Sequence, residues 1–255
     1  MSSKKLLTVA VAALALGQLA SAQTNLQVFY DFAPDRQHVT TTLEGFYADN
    51  WGNTFFFVDH DFGSRNDKGH VYAPSGTYME IARCLNFWQN TALGGASLHV
   101  EYNGGVYNGF TINHAFLGGL DYFLHSADFK NTLNIKALYK YIDYNGGVNL
   151  QGLARKSAVP MQFTLVWGLQ DLFGLTGLRF SGFADFWWED HSVSDGTVEW
   201  DSPYVFISEP QLWYNLGQWI GVPQFNIGGE VELSYDFGGI AGFKVRPCAG
   251  VKWVF

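Results

Sequence analysis

Phe55 and Phe57 stand two residues apart in the stretch FFFVDHDF, and Asp59 and Asp61 continue the spacing. In an extended segment, side chains two apart share one face and lie about 7 Å from each other along the strand. Two rings and two carboxylates then form one row. A flat base stacks on an aromatic face for roughly 1–3 kcal/mol, and sugars use similar faces. Hydroxyl groups of a sugar can donate hydrogen bonds to the carboxylates. Such a row suits a polar solute carrying a flat ring and hydroxyls, with a base sliding between the two rings. His60 points to the opposite face and cannot share an ion with Asp61.

The same alternation places further ionisable and aromatic residues on matching faces of their segments. Glu44 and Phe46 share a face in TLEGFYADN, and Glu80 lies inward in GTYMEIARC. In GLRFSGFADFWWED, Arg179, Phe183, Asp185 and Trp187 fall together, against Leu178, Phe180, Phe186 and Trp188. In the last segment, Lys244, Arg246 and Lys252 oppose Phe243, Val245, Val251, Trp253 and Phe255. Trp88, His99, Lys136, Lys140, Glu189 and Trp213 also belong to the polar side.

The elements that position these residues are strands. Period-2 alternation recurs almost everywhere after residue 23, interrupted by breakers such as APDRQ, QNTALGG, HSADFKN and DFGGIAG. The breakers divide the chain into segments at 24–33, 38–48, 53–62, 77–88, 95–104, 111–124, 131–144, 159–170, 177–190, 203–215, 224–236 and 241–255. No Pro- or Ser-rich linker, repeat or low-complexity segment intervenes.

A β-sandwich also alternates, but its apolar faces meet in a core. Here the polar face is too densely ionisable for a core and the apolar face too aromatic for water. The expected fold is all-β, a single transmembrane antiparallel barrel of about twelve strands, apolar outside and polar inside. Closure satisfies every backbone group without a free edge. It also explains the aromatic ladder at the end of the chain, because the last strand pairs with the first. Periplasmic turns are then expected at 49–52, 89–94, 125–130, 171–176 and 216–223. Outer loops are expected at 34–37, 63–76, 105–110, 145–158, 191–202 and 237–240.

The ends of the chain agree with export. MSSKKLLTVAVAALALGQLASAQ has two lysines, a short apolar run and a small-x-small site before Gln23, the form of a secretory signal peptide. The expected division is 1–22 signal peptide and 23–255 barrel. The chain carries a net charge of −8, and about −10 once the leader and its two lysines are gone. That balance disfavours a nucleic-acid polymer as partner. Aromatic residues make up 17% of the chain and 29 glycines accompany them, yet mean hydropathy is −0.02, as alternation requires. Cys84 and Cys248, an even pair, permit a disulfide but lie on distant strands, and their spacing forms no metal or redox motif.

Three stretches, TLEGFYADNWGNTFFFVDHDF (42–62), GTYMEIARCLNFW (76–88) and GLRFSGFADFWWED (177–190), resemble those of the nucleoside-specific channel-forming Tsx proteins. The resemblance lies in the order L-E-x-F, W, a phenylalanine-rich strand ending in aspartates, M-E-I, then G-F-x-x-F-W. It implies a monomeric twelve-stranded barrel with a narrow nucleoside pore. By position it carries Glu44, Asp59 and Glu80 onto motif sites, and Phe55 and Phe57 onto the aromatic strand. Gly250-x-x-Trp253-x-Phe255 resembles the C-terminal signal read by the barrel-insertion machinery.

The expected function is passive uptake of small polar solutes, nucleosides above all, across the outer membrane of a Gram-negative bacterium. The partners are the lipid bilayer, lipopolysaccharide, the insertion machinery and the solute, with no cofactor and no metal. The alternative is a structural or adhesion barrel whose lumen is filled by buried ion pairs. No enzyme is expected: His125-Ser126 and His191-Ser192 lie in breakers, and Glu189, Asp190 and His191 form an acid–histidine run at a loop edge.

Overall fold

A computed structural model describes residues 23–65, 71–107, 110–145 and 159–255, so the expected leader lies outside the described residues. The barrel strands are β1 (Gln23–Asp31), β2 (Val39–Asp49), β3 (Gly52–Phe62), β4 (Gly76–Leu85), β5 (Ala96–Tyr107) and β6 (Phe110–His125). They continue as β7 (Asn131–Asn145), β8 (Met161–Gln170), β9 (Leu178–Ser194), β10 (Glu199–Ser208, then Gln211–Tyr214), β11 (Phe225–Tyr235) and β12 (Phe243–Val254). Each pairs antiparallel with its neighbour in sequence, and β12 pairs with β1, which closes a twelve-strand barrel.

The closing seam runs to the end of the chain. Asn25 faces Val254 and Leu26 faces Trp253, and the Phe255 N–H donates to Thr24 O at 2.9 Å. β10 is one strand despite its interruption. Pro210 has no N–H to give, which interrupts the strand, yet the Glu209 N–H still donates to Phe183 O, Pro210 O accepts from the Val231 N–H, and the register holds on both sides: Ile207 faces Ser234 and Gln211 faces Glu230.

Burial follows the alternation. On β1, Asn25, Gln27, Phe29 and Asp31 are buried while Leu26, Val28 and Tyr30 are exposed. Leu120, Ile135, Tyr139, Phe163 and Val245 continue the exposed belt on other strands. A barrel that turns its aliphatic side chains outward and buries its polar ones is built for hydrocarbon. Both ends of the barrel chain lie at one rim, here the turn end, with the turns 86–95, 126–130 and 171–177. Trp51, Phe87, Phe173 and Trp219 are highly exposed there, as in an interfacial aromatic girdle. The opposite rim is the loop end.

Several strand ends differ from the alternation's expectation. β4 stops at Leu85, and Trp88, expected inside, lies in the turn stacked on Phe87. Asn86 ends the strand by accepting the Trp88 N–H and donating to Gly94 O. β9 runs on to Ser194 through the segment expected as a loop. A bulge between Trp188 and His191 absorbs the extra residue, which buries Glu189 and His191 instead of leaving them at a solvated edge. The turn expected at 216–223 contains a single helical turn, Gly217–Ile220.

Candidate functional site in the barrel lumen

β3 carries the aromatic–acidic row into the lumen. The Phe55 and Phe57 ring centroids are 6.0 Å apart with planes tilted by 53°. The rings touch each other, so no base slides between them, and a flat solute has only their open faces to stack on. The row continues across strands. Phe57 meets Tyr78 of β4 at 5.7 Å, and Tyr78 stacks on Tyr107 of β5 at 6.5 Å. Register produces this, because Asp59 faces Tyr78 and the β4–β5 ladder sets Tyr78 opposite Gly105. All four rings are half-exposed. Neither tyrosine was among the residues singled out above; the signal was present for Tyr78, two residues from Glu80 on the same face.

The carboxylates of the row are oriented from β2. Thr42 Oγ1 donates to Asp59 at 2.5 Å and Thr40 Oγ1 to Asp61 at 2.7 Å. His38 Nε2 lies 3.4 Å from Asp61. Glu44 accepts from Asn25 at 2.8 Å. Asp59 lies in the field of Glu209 and Glu230. Glu80 interacts with Glu101, Asp185, Lys136 and Lys140. Acids of β3–β5 and β9 therefore share the lumen with the lysines of β7. Phe183 and Asp185 line it from β9, and Arg179 lies lower on that strand, in the field of Glu44. These residues and Lys244 are half-exposed.

Three expected lining residues stand differently. Arg246 is only 2% exposed, because a guanidinium in a dry interior must be paired. Its Nη1 donates to Glu232 at 2.6 Å and its Nη2 to Asp35 at 2.7 Å. Arg36, from the β1–β2 loop, donates to the other Glu232 oxygen at 2.5 Å and lies 3.4 Å from Asp31. The loop is thus tied over the loop end of the lumen, and neither Asp35 nor Arg36 was among the expected site residues. Trp187 is buried too: its Nε1 donates to Glu189 at 2.7 Å, and the Lys140 ammonium sits 3.5 Å from its ring centroid. Phe46 is 43% exposed, near the turn end.

Part of the lumen is filled. Trp213 and Phe29 pack at 5.5 Å, over Gly250 and Gly228. A Cβ on Gly250 would lie 2.7 Å from the Phe29 ring, and one on Gly228 would lie 2.8 Å from Trp213. Lys252 caps the indole at 4.1 Å. A second plug is apolar: Leu138 packs against Ala115 and Leu117.

The histidine–serine pairs form no catalytic contact among the described residues. His191 bonds to Glu189 O and Asp236 O, each at 2.7 Å, and Ser192 donates to Asp201. His125 stacks on Phe129, and Ser126 donates to Asp128. Cys84 and Cys248 are free thiols.

Solved structures of similar fold include Acinetobacter baumannii outer membrane protein Omp33, 10% identical, over 92% of this chain and 98% of that chain, with a TM-score of 0.39. Pseudomonas aeruginosa OpdK, solved with vanillate, is also 10% identical over 92% and 98%, with a TM-score of 0.35. A chain from a study of in-meso crystallization of membrane proteins is 8% identical over 91% and 83%, with a TM-score of 0.48. Identities this low establish no residue-by-residue correspondence. No curated protein matches the sequence. A family model described as a domain of unknown function, DUF5020, matches residues 23–255, the whole barrel, and the chain belongs to that family.

Proposed function

We propose that this barrel is an outer-membrane channel of a Gram-negative bacterium, passing small polar solutes and favouring nucleosides. The observation that carries the reading is the half-exposed aromatic row Phe55–Phe57–Tyr78–Tyr107 beside the oriented carboxylates of Asp59 and Asp61. Exposed rings in a wet lumen cost free energy unless a solute covers them. A base stacks on the open faces while its ribose hydroxyls donate to the acids. Each contact is weak and repeated, as passage requires. The Tsx-like motifs 42–62 and 76–88 contribute three of the four rings and both acids. The leader directs export, the C-terminal strand is read by the insertion machinery, and the barrel works as a monomer among lipid and lipopolysaccharide.

Phe55→Ala with Phe57→Ala is expected to lower adenosine and thymidine uptake into liposomes at low concentration, by up to about tenfold for one lost stacking contact of ~1.4 kcal/mol. A monosaccharide is expected to be slowed less. Equal slowing of all three solutes, or of none, removes the base-selective reading and leaves a general pore.

A second reading rests on the filled regions around Trp213, Leu138 and Arg246: a structural or adhesion barrel that does not transport. Planar-bilayer recordings separate the two. Discrete conductance steps support the channel, and insertion without conductance supports the filled barrel. Orientation is read by cysteine labelling of intact cells. A cysteine at Asp195, in the β9–β10 loop, is expected to react and one at Asn90, in the β4–β5 turn, to stay silent; the reverse result inverts the topology. Asn66, a further expected outer position, lies outside the described residues.

A further inference from the structure

Three neighbouring strands bring Cys84, His99 and Asp121 together inside the lumen, near the turn end. Cys84 faces His99 across β4–β5, and the β5–β6 ladder sets Ser97, two residues from His99, opposite Asp121. All three are buried, and their donor atoms lie within 4.8 Å of one another. Cys84 Sγ is 3.3 Å from His99 Nδ1 and 3.2 Å from Asp121 Oδ2. We infer that these three side chains form a binding site for one divalent transition-metal ion of the zinc class.

The geometry and the donor set both fit. Bonds of about 2.3 Å to sulfur and about 2.0–2.2 Å to nitrogen and oxygen, at tetrahedral angles, separate sulfur from the other donors by about 3.5 Å. The observed separations fall short of that by a few tenths of an ångström, so small rotamer shifts admit the ion. Thiolate, imidazole and carboxylate together suit a borderline-soft ion and leave a fourth position for solvent.

The surrounding groups are arranged as the outer shell of a metal site is. His99 turns its other nitrogen, Nε2, to Glu101 Oε2 at 2.8 Å, which holds Nδ1 towards the thiol. Glu101 is in turn held by Asn103 at 3.0 Å. Asp121 accepts from Asn134 Nδ2 at 2.9 Å on both oxygens. It faces Lys136 in register, yet turns its carboxylate to the thiol and to Asn134. Charge also balances. The ion offsets Cys84 thiolate and Asp121, and Lys136 offsets Glu101. On binding, the Cys84 thiol gives its proton to solvent and sulfur donates its electron pair to the metal.

The test uses the full barrel, folded in detergent, with Co2+ as the probe and Zn2+ as competitor. One Co2+ per chain is expected, with a thiolate-to-cobalt charge-transfer band and the intense visible absorption of a tetrahedral ion. Zn2+ should abolish both. Cys248→Ser should keep the full signal, which assigns the thiolate to Cys84 without altering the site. Glu101→Gln, a positioning change, should weaken binding about 10–100-fold, and Cys84→Ser should remove the charge-transfer band. No band in the folded wild-type barrel at saturating Co2+, or a band lost in Cys248→Ser and kept in Cys84→Ser, overturns the site. Neither outcome depends on whether the lumen conducts.

Discussion

Arg246→Met is expected to destabilise the barrel by about 3 kcal/mol, the low end of the range for breaking a buried ion pair. The guanidinium makes bonds to Glu232, Asp35 and, at 3.4 Å, Ser234. Methionine fills much of the volume and restores none of them. The low end applies because Arg36 still holds Glu232 and because the Asp35 side chain is 49% exposed. Arg246→Lys should cost less, since the charge survives and only the fork is lost. Arg246→Met with Glu232→Gln should cost less than the single change, since the buried Glu232 carboxylate is then no longer left half-paired and only the half-exposed Asp35 loses its partner. The double variant cuts both ties of the loop, Asp35 to Arg246 and Arg36 to Glu232, and should raise single-channel conductance, whereas Arg246→Met alone releases only Asp35. Urea titration followed by tryptophan fluorescence reads the stability, and an unchanged midpoint would show that the network contributes nothing. The pH dependence has a definite sign. The hydrogen bond from Arg246 holds the Asp35 carboxyl below its usual range. Its contribution is therefore complete above the unfolded value, near pH 4, and is lost as pH falls through the lowered folded value. Arg246→Met should flatten that part of the curve.

Leu165→Arg is expected to cost about 2–4 kcal/mol in lipid vesicles if its depth is near the bilayer midplane. Leu165 is central in β8, 43% exposed on the outer face, between Ile135 and Ala184. Trp253→Arg, at the turn-end rim, should cost only about 0–1 kcal/mol of the same penalty. Thr42→Arg supplies the luminal comparison: it loses the hydroxyl bond to Asp59 but sets a guanidinium among luminal carboxylates. Thr164, adjacent to Leu165, is not the open pore position its parity implies. It is buried and accepts from Gln162 at 3.0 Å, so an arginine there must displace packed side chains. Equal losses at Leu165, Trp253 and Thr42 would mean that no lipid-facing belt exists.

Much of the architecture is legible in the alternation of the chain. LQVFYDF and FNIGGEVELSYD sort their residues between outside and lumen, and the structure keeps that sorting on β1 and β11. The terminal ladder from Phe243 to Phe255 meant a paired last strand, and β12 closes on β1. The Phe55–Phe57–Asp59–Asp61 row was readable because it lies within one strand, where spacing alone decides which side chains are neighbours. The extension to Tyr78 and Tyr107 needed the register between strands.

Local composition misled where tertiary pairing overrode it. WWEDHSVSDG has the polarity of a loop, yet β9 continues through it because a bulge and the partner strand β10 accommodate the extra residue. Arg246 shares a face with Lys244 and Lys252, and nothing local distinguishes the sealed cation from the half-exposed ones. That difference comes from Asp35 and Glu232, which lie 211 and 14 residues away in the chain.

By itself the sequence determined the alternating strands, their inward and outward faces and the paired last strand, because a period of two is a local property of the extended backbone. The tertiary structure alone decided which inward residues meet: the touching rings of Phe55 and Phe57, the loop tied by Arg246, and the convergence of Cys84, His99 and Asp121. Those meetings depend on how far each strand is staggered against the next, a quantity set by the shear and closure of the whole barrel and written in no single segment of the chain.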